Sequence, residues 1–133
     1  MDDRGSASVE LVLLTPVFVI LLLLVVAAGR LAVARNQVDE AARDAAREAS
    51  VWRSPVDARD RGAAKALADL AGGHVGCRNP RVVIDTTRLR PGGEVVADVG
   101  CSVLLSDLVG LHIGPSRQMQ ATAVAVVDSF RSQ

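Results

Sequence analysis

The chain is poor in the residue types from which nucleic-acid and small-molecule sites are usually built. Only 2% of its residues are aromatic and none is tyrosine, so it offers no base-stacking platform or aromatic cage. Basic and acidic residues balance at 15 each, and no cluster of Lys and Arg provides the basic face that nucleic acids require. Phosphate-binding glycine loops, nucleophile elbows and H-E-x-x-H motifs are also absent from the sequence. We therefore expect no enzyme activity, no cofactor, and neither nucleic acid nor a small-molecule substrate as a ligand.

What the chain has instead is one long apolar segment. Leu11–Ala28 carries no charge and is interrupted only by Thr15 and Pro16. A helix of this length measures about 27 Å, close to the hydrocarbon thickness of a bilayer, so contact with membrane lipid is predicted. Two ordinary explanations are a permanent signal anchor and a cleaved secretory signal. The second is supported by an A-x-A sequence at residues 32–34.

A single carboxylate stands at the edge of the apolar segment. Glu10 directly precedes Leu11 and follows a short polar leader, residues 1–5, that ends in Gly5. A charge inside a membrane helix costs roughly 2.5–3.5 kcal/mol, and less at the headgroup boundary. If the chain is cut between Gly5 and Ser6, the new amine and the Glu10 carboxylate lie at i and i+4 on one helix face. Such a pair, within a chain or between neighbours, is worth about 4 kcal/mol before desolvation, whereas the plain alternative is a glutamate placed among the headgroups.

Residues 5–11, Gly-Ser-Ala-Ser-Val-Glu-Leu, resemble the G-x-A-x-V-E-[FL] start of TadE-like proteins, the pseudopilins of tight-adherence (Flp-type) type IV pilus systems. Pro16, the Ala- and Arg-rich extension after residue 28, and the Ala-Thr-Ala at residues 121–123 also resemble that family. The resemblance implies cleavage between Gly5 and Ser6 by a prepilin peptidase, and an assembly role for Glu10. It further implies a minor pilin that acts in pilus assembly, with other pilins, pseudopilins and the pilus assembly machinery as partners. The rival interpretation is a signal-anchored extracytoplasmic binding protein unrelated to pili.

The helical pattern continues beyond the apolar segment. No proline occurs between Gly29 and Trp52, and alanines recur there at three- and four-residue spacing, with Val38 on the same stripe. We predict one helix over about residues 6–50, some 65 Å long, with its first half in the bilayer and its second half above it. Pro16 removes a backbone hydrogen bond, and we expect the hydroxyl of Thr15 to compensate for it. The proline is then either an ordinary kink or a point of local melting during assembly.

The remaining residues predict a small α+β head. Ser54 is the N-cap of a second helix that begins at Pro55 and is ended by the glycines at 72 and 73. Three strands follow, at residues 81–86, 94–104 and 118–127, with a turn at residues 91–93, and their alternation predicts an antiparallel sheet with one apolar face. Residues 106–112 form a short helix or a turn. The apolar residues on one side of the second helix are Ala64, Leu67, Ala68 and Ala71.

The chain has two cysteines, Cys77 and Cys101, and a bridge between them closes a loop of about 25 residues. By the chain-entropy estimate, this bridge stabilises so small a head by about 3 kcal/mol. With His74 and His112 the cysteines make four candidate zinc ligands. Their spacing matches no compact zinc knuckle, so we predict a disulfide and no metal.

Two features predict opposite orientations in the membrane. Four arginines follow the apolar segment closely and only Arg4 precedes it, which by the positive-inside rule favours a cytoplasmic head. A pair of cysteines in a small domain favours an oxidising compartment instead. Because long segments translocate despite their charge, we predict an extracytoplasmic head. The arginines that follow the segment are Arg30, Arg35, Arg43 and Arg47.

The expected fold class is therefore α+β, in three parts. Residues 1–5 are a prepilin-type leader, residues 6–53 a transmembrane helix that continues outside the membrane, and residues 54–133 the extracytoplasmic head. The expected location is the cell membrane, crossed once, and by the resemblance a surface pilus.

Overall fold

The described residues form two helices followed by a three-stranded sheet. The computed structural model describes residues 4–74, 76–104 and 116–130, with side chains from residue 10 onward. The sheet order is β1-β2-β3 and both pairings are antiparallel, so the predicted α+β class and the open antiparallel sheet are confirmed. The helix or turn predicted at residues 106–112 lies outside the described residues. The elements are α1 (Arg4–Val51), α2 (Pro55–Gly72), β1 (Arg78–Asp85), β2 (Glu94–Leu104) and β3 (Ser116–Val126).

The helix α1 is continuous over 48 residues, in agreement with the single long helix predicted. Pro16 lies inside it and cannot donate to the Val12 carbonyl one turn earlier. The Thr15 hydroxyl donates to the carbonyl of Leu11 at 2.8 Å, one residue before the carbonyl that the proline leaves unbonded. The expectation that Thr15 replaces the lost bond was therefore wrong. The hydroxyl satisfies itself by bonding back to its own preceding turn, as hydroxyls in helices commonly do.

A tight connection turns the chain from α1 into α2. Ser54 has extended backbone (φ −81°, ψ 127°), and its hydroxyl accepts a hydrogen bond from the Asp57 amide at 3.4 Å, so the predicted N-cap is confirmed. Trp52 marks the end of α1. Its indole donates to Glu48 Oε1 at 3.0 Å, and the Arg61 guanidinium lies 5.0 Å from its ring centre. These contacts join the last turn of α1 to the first turns of α2.

Small residues let α1 and α2 approach closely. A Cβ added at Gly62 would lie 3.0 Å from the Ala45 carbonyl oxygen and 3.1 Å from the Ala49 Cβ, so hydrogen is the side chain that fits there without a shift. Lys65 links the same helices through charge, with Nζ 2.5 Å from Asp69 Oδ1 and 3.5 Å from Asp44 Oδ2. The helix pair is thus held by small-residue packing first, because exposed ion pairs contribute little.

The buried side of α2 differs from the stripe that its sequence suggests. Ala58, Gly62, Ala66 and Leu70 face α1 and the sheet. This face is buried because its small residues allow the two helices to approach closely. Shape rather than hydrophobicity therefore decides which side of α2 is buried. The stripe singled out in the sequence is exposed to solvent instead, at Ala64, Leu67, Ala68 and Ala71.

Strand β2 has the predicted bounds, whereas its two neighbours are shifted. β1 begins three residues before the prediction, because the chain pairs across an irregularity between Arg78 and Arg81, where Asn79 takes φ 50°. It ends at Asp85, whose carboxylate accepts a hydrogen bond from the Thr87 amide at 2.9 Å and turns the chain. β3 covers residues 116–126 rather than 118–127. Val127 lies beyond the strand but still exchanges backbone hydrogen bonds with the glycines of the β1–β2 turn.

The core lies between the helix pair and one face of the sheet. The second half of α1 contributes buried residues from Ala34 to Ala49, so the packed head includes part of this helix. Cys77, before β1, is joined to Cys101 by a disulfide with a Cα–Cα distance of 5.6 Å. The alternation predicted for β2 is confirmed, since its buried side chains are Val95, Ala97, Val99, Cys101 and Val103.

Candidate membrane and assembly helix

The first half of α1 is not buried by any other part of the described chain. Every side chain from Glu10 to Val26 is exposed, although nearly all of them are large and aliphatic. Among the described residues, Glu10–Val51 is the one helical stretch long and apolar enough to cross a membrane, a property that signal sequences share. Apolar surface on all sides of a helix favours lipid as its surroundings.

The second half of the same helix is embedded in the head. Ala34, Val38 and Ala41 begin a buried stripe that continues to Ala49 and packs on α2, β2 and β3. Exposed charges occupy the opposite side of this half, among them Glu40 and Arg43. One continuous helix thus connects the apolar segment with the core of the head.

Glu10 lies at the lower end of the exposed apolar half, and its side chain is exposed. The backbone of α1 is already helical at Gly5 and Ser6, so Ser6 and Glu10 are separated by about one helical turn. The geometry therefore permits the i,i+4 arrangement expected from the sequence. Whether the bond between Gly5 and Ser6 is cut stays a prediction.

The four candidate zinc ligands do not form a common site. Both sulfurs of the cysteine pair are taken up in the disulfide, which removes them as thiolate ligands. His74 is exposed, and His112 lies outside the described residues. Among the described residues, no group of three or more His, Cys, Asp or Glu side chains is placed to hold a metal ion.

The outer face of the sheet is a surface that the sequence argument did not single out. Gly100 lies between Arg81 on β1 and Gln120 on β3, and all three line a trough in the sheet. The Gln120 side chain lies over the glycine, with its Cγ 3.2 Å from where a Cβ would stand. Nearer the other end of the sheet, Val83 and Val124 are both more than half exposed. The signal was present in the alternation of the strands, whose outward positions carry these residues.

Fold and helix together define a class: a chain with one helix able to span a membrane, continued into a small α+β head. Residues 5–47 match the model of the family described as TadE-like protein, which confirms the resemblance found in the N-terminal residues. The match is consistent with a TadE-like protein of the tight-adherence pilus system. It begins at Gly5, contains Glu10 and extends into the half of α1 that is buried in the head. No curated protein and no solved structure matches the chain.

Proposed function

We propose that the chain is a minor pilin, or pseudopilin, that acts in assembly of a tight-adherence type IV pilus. The observation that carries the proposal is the construction of α1. Its exposed apolar half begins at Glu10, its second half is fixed in the head, and the family match covers both. Such a subunit packs its apolar half beside the helices of other pilins and presents its head to the assembly machinery.

In this proposal Glu10 sets the position of one subunit relative to the next. A prepilin peptidase cuts between Gly5 and Ser6 and creates an amine at the start of the helix. A carboxylate in an apolar setting needs a partner of opposite charge, because isolated burial is costly. The amine of a neighbouring mature chain supplies that partner only when the two helices are in one axial register.

The signal-anchored interaction protein is the alternative function, and the trough around Gly100 is the observation that favours it. In that case the head binds its ligand while α1 only tethers it, so Glu10 has no partner and no role. Release of a secreted domain by cleavage after Ala34 is less well supported. Ala34 lies within a continuous helix and is only 2% exposed, so that cut would remove part of the core.

Variants of the two predicted positions test the proposal in cells that assemble the pilus. We expect Gly5→Ala to block maturation and Glu10→Gln to leave maturation intact but strongly reduce piliation. Glu40→Gln is the matched control, since it removes an exposed carboxylate from the head half of the same helix. Normal piliation with Glu10→Gln, or an equal loss with Glu40→Gln, would contradict the assembly role.

A further inference from the structure

One end of the head faces the apolar half of α1, and contacts along α1 identify it. Gln37 Nε2 donates to the Leu70 carbonyl at 3.0 Å, so the end of α2 lies beside residue 37. A cleft lined by Arg35, Val38 and Arg117, among others, brings the start of β3 to the same level. Both contacts lie within about 15 Å of Ala28, the last residue of the apolar segment, at 1.5 Å per residue.

The strand register shows which residues of the sheet lie at this same end of the head. Gln118 on β3 pairs with Ser102 on β2, and Ser102 pairs with Arg78 on β1. The start of β1, the end of β2 and the start of β3 therefore lie at one end of the sheet. Together with the end of α2 and residues 29–38 of α1 they form a surface that we call the lower rim. Its described residues are 29–38, 70–74, 76–82, 99–104 and 116–122.

Exposed basic residues outnumber the acidic residues at and beside the lower rim. Within its described residues there is no aspartate or glutamate, although the chain as a whole is neutral. Acidic residues border the rim at Asp39, which lines the same cleft as Arg35 and Arg117, at Asp69 next to Leu70, and at Asp98, which accepts a hydrogen bond from Thr122. The basic residues of the rim are Arg30, Arg35, Arg78, Arg81 and Arg117, all exposed.

The heights of these arginines suit contact with lipid headgroups. Arg30 stands about 3 Å and Arg35 about 10 Å beyond Ala28 along the helix axis. The headgroup region adds roughly 5–8 Å to each side of the hydrocarbon core, and charges are felt over a further Debye length of about 8 Å. Long arginine side chains also extend toward the interface when their backbone lies above it. Arg30 and Arg35, and Arg117 in the same cleft as Arg35, therefore lie within electrostatic reach of the bilayer.

We propose that the lower rim binds the phosphate groups of anionic phospholipids in the leaflet on the head side of the membrane. The charge of the rim is complementary to that surface, and the anchor holds the two face to face. This fixes the head at a set height over the bilayer. It also gives a role to Arg30 and Arg35, which oppose the positive-inside rule when the head is extracytoplasmic. The inference rests on membrane insertion of α1 and not on the pilus role.

The test is lipid selectivity of the full chain in bilayers. The chain is reconstituted into phosphatidylcholine containing spin-labelled phosphatidylglycerol or spin-labelled phosphatidylcholine, and the motionally restricted fraction of each label is compared. We expect a several-fold preference for phosphatidylglycerol that falls as salt is added, because each basic residue near an anionic surface adds up to about fivefold. The variant Arg35→Gln/Arg78→Gln/Arg117→Gln should lose most of this preference.

Two further variants distinguish a specific effect of the rim on lipid preference from an effect of net charge or of misfolding. Arg43→Gln/Arg47→Gln/Arg90→Gln removes the same charge far from the rim and should keep the preference. Replacing the three rim arginines with lysine keeps the charge and should keep it as well. Equal selectivity for the two lipids in the wild-type chain, or the same loss with the distal triple variant, would overturn the proposal. Failure of the chain to float with vesicles would instead contradict membrane insertion, so the two failures are distinguishable.

Discussion

The two halves of α1 are one helix in two different environments. From Leu11 to Val26 nearly all side chains are large and aliphatic, and all are exposed, whereas from Ala34 to Ala49 the buried stripe is almost entirely alanine. Large side chains on all faces suit fluid lipid, which adapts to any shape. Alanines suit a fixed partner, because they let α2 come close enough for Gly62 to touch the Ala45 carbonyl. Side-chain size thus distinguishes the half of the helix that packs on protein from the half that is exposed and apolar enough to cross a membrane.

The disulfide lies entirely in the head half of the molecule, and its removal should have the largest effect. In Cys77→Ser/Cys101→Ser we expect the free energy of unfolding of the head to fall by about 3 kcal/mol, because the unfolded chain regains the freedom of a long loop. Thermal unfolding of the full chain in detergent micelles, followed by circular dichroism, measures this. The apolar helix should stay in the micelle throughout, and a head as stable as the wild type would contradict the expectation.

The close contact between α1 and α2 is tested next. Gly62→Leu forces a large side chain against Ala45 and Ala49 and should destabilise the head by about 1–3 kcal/mol. Gly72→Leu is the matched control, since a Cβ there meets nothing within 4 Å. If both variants unfold at the same temperature, the packing described for this helix pair is incorrect.

The same substitution in each half of α1 tests whether the two halves contribute differently to the stability of the head. Val38 is 2% exposed and Val19 is 48% exposed. Val38→Ala should cost about 2 kcal/mol of head stability because it removes buried methyl groups and leaves a cavity. Val19→Ala should leave head unfolding unchanged, and equal losses from the two would show that the halves are not independent.

Loss of the N-cap in the connection between the helices should have a smaller effect on stability. Ser54→Ala removes the acceptor for the Asp57 amide and should cost about 1 kcal/mol. Ser54→Gly should cost only a few tenths, since glycine is accepted as an N-cap. Chemical denaturation of the three proteins side by side gives the order of their stabilities. A glycine variant less stable than the alanine variant would contradict the prediction.

The smallest expected effect is on pH dependence. The hydrogen bond that Lys65 donates to Asp69, with help from Asp44, raises the pKa of the lysine above its usual 10.5. The stabilisation is therefore fully present below pH 10.5 and is lost as pH rises through the raised value. The effect is small because Lys65 is 42% exposed. Lys65→Met should abolish this alkaline step, and an identical step in that variant would assign it to other groups.

The sequence predicted local elements better than their arrangement. Alanine spacing, the Ser54 cap and the alternation in β2 follow from neighbouring residues, and each appears as expected. The buried side of α2 was missed because it depends on how closely Gly62 approaches α1, which no local pattern states. The sequence also did not indicate that Arg78, Ser102 and Gln118 lie side by side at one end of the sheet, since only the strand register brings these residues together.

For the candidate site, the position of Glu10 at the edge of the exposed helix could be predicted, because it depends only on where the apolar segment begins. The lower rim could not. Its arginines come from α1, β1 and β3, and they share a surface only after the sheet has packed on the helix. The sequence therefore predicts candidate residues that depend on position along the chain, but not a surface that forms only when separate elements pack together.

The mass of the intact protein purified from native membranes tests the central claim most directly. A minor pilin of this kind begins at Ser6, so the account predicts a chain that lacks residues 1–5 and retains Glu10. A chain that retains its leader would contradict that claim and favour the signal anchor, and a chain that begins at Arg35 would favour the secreted domain.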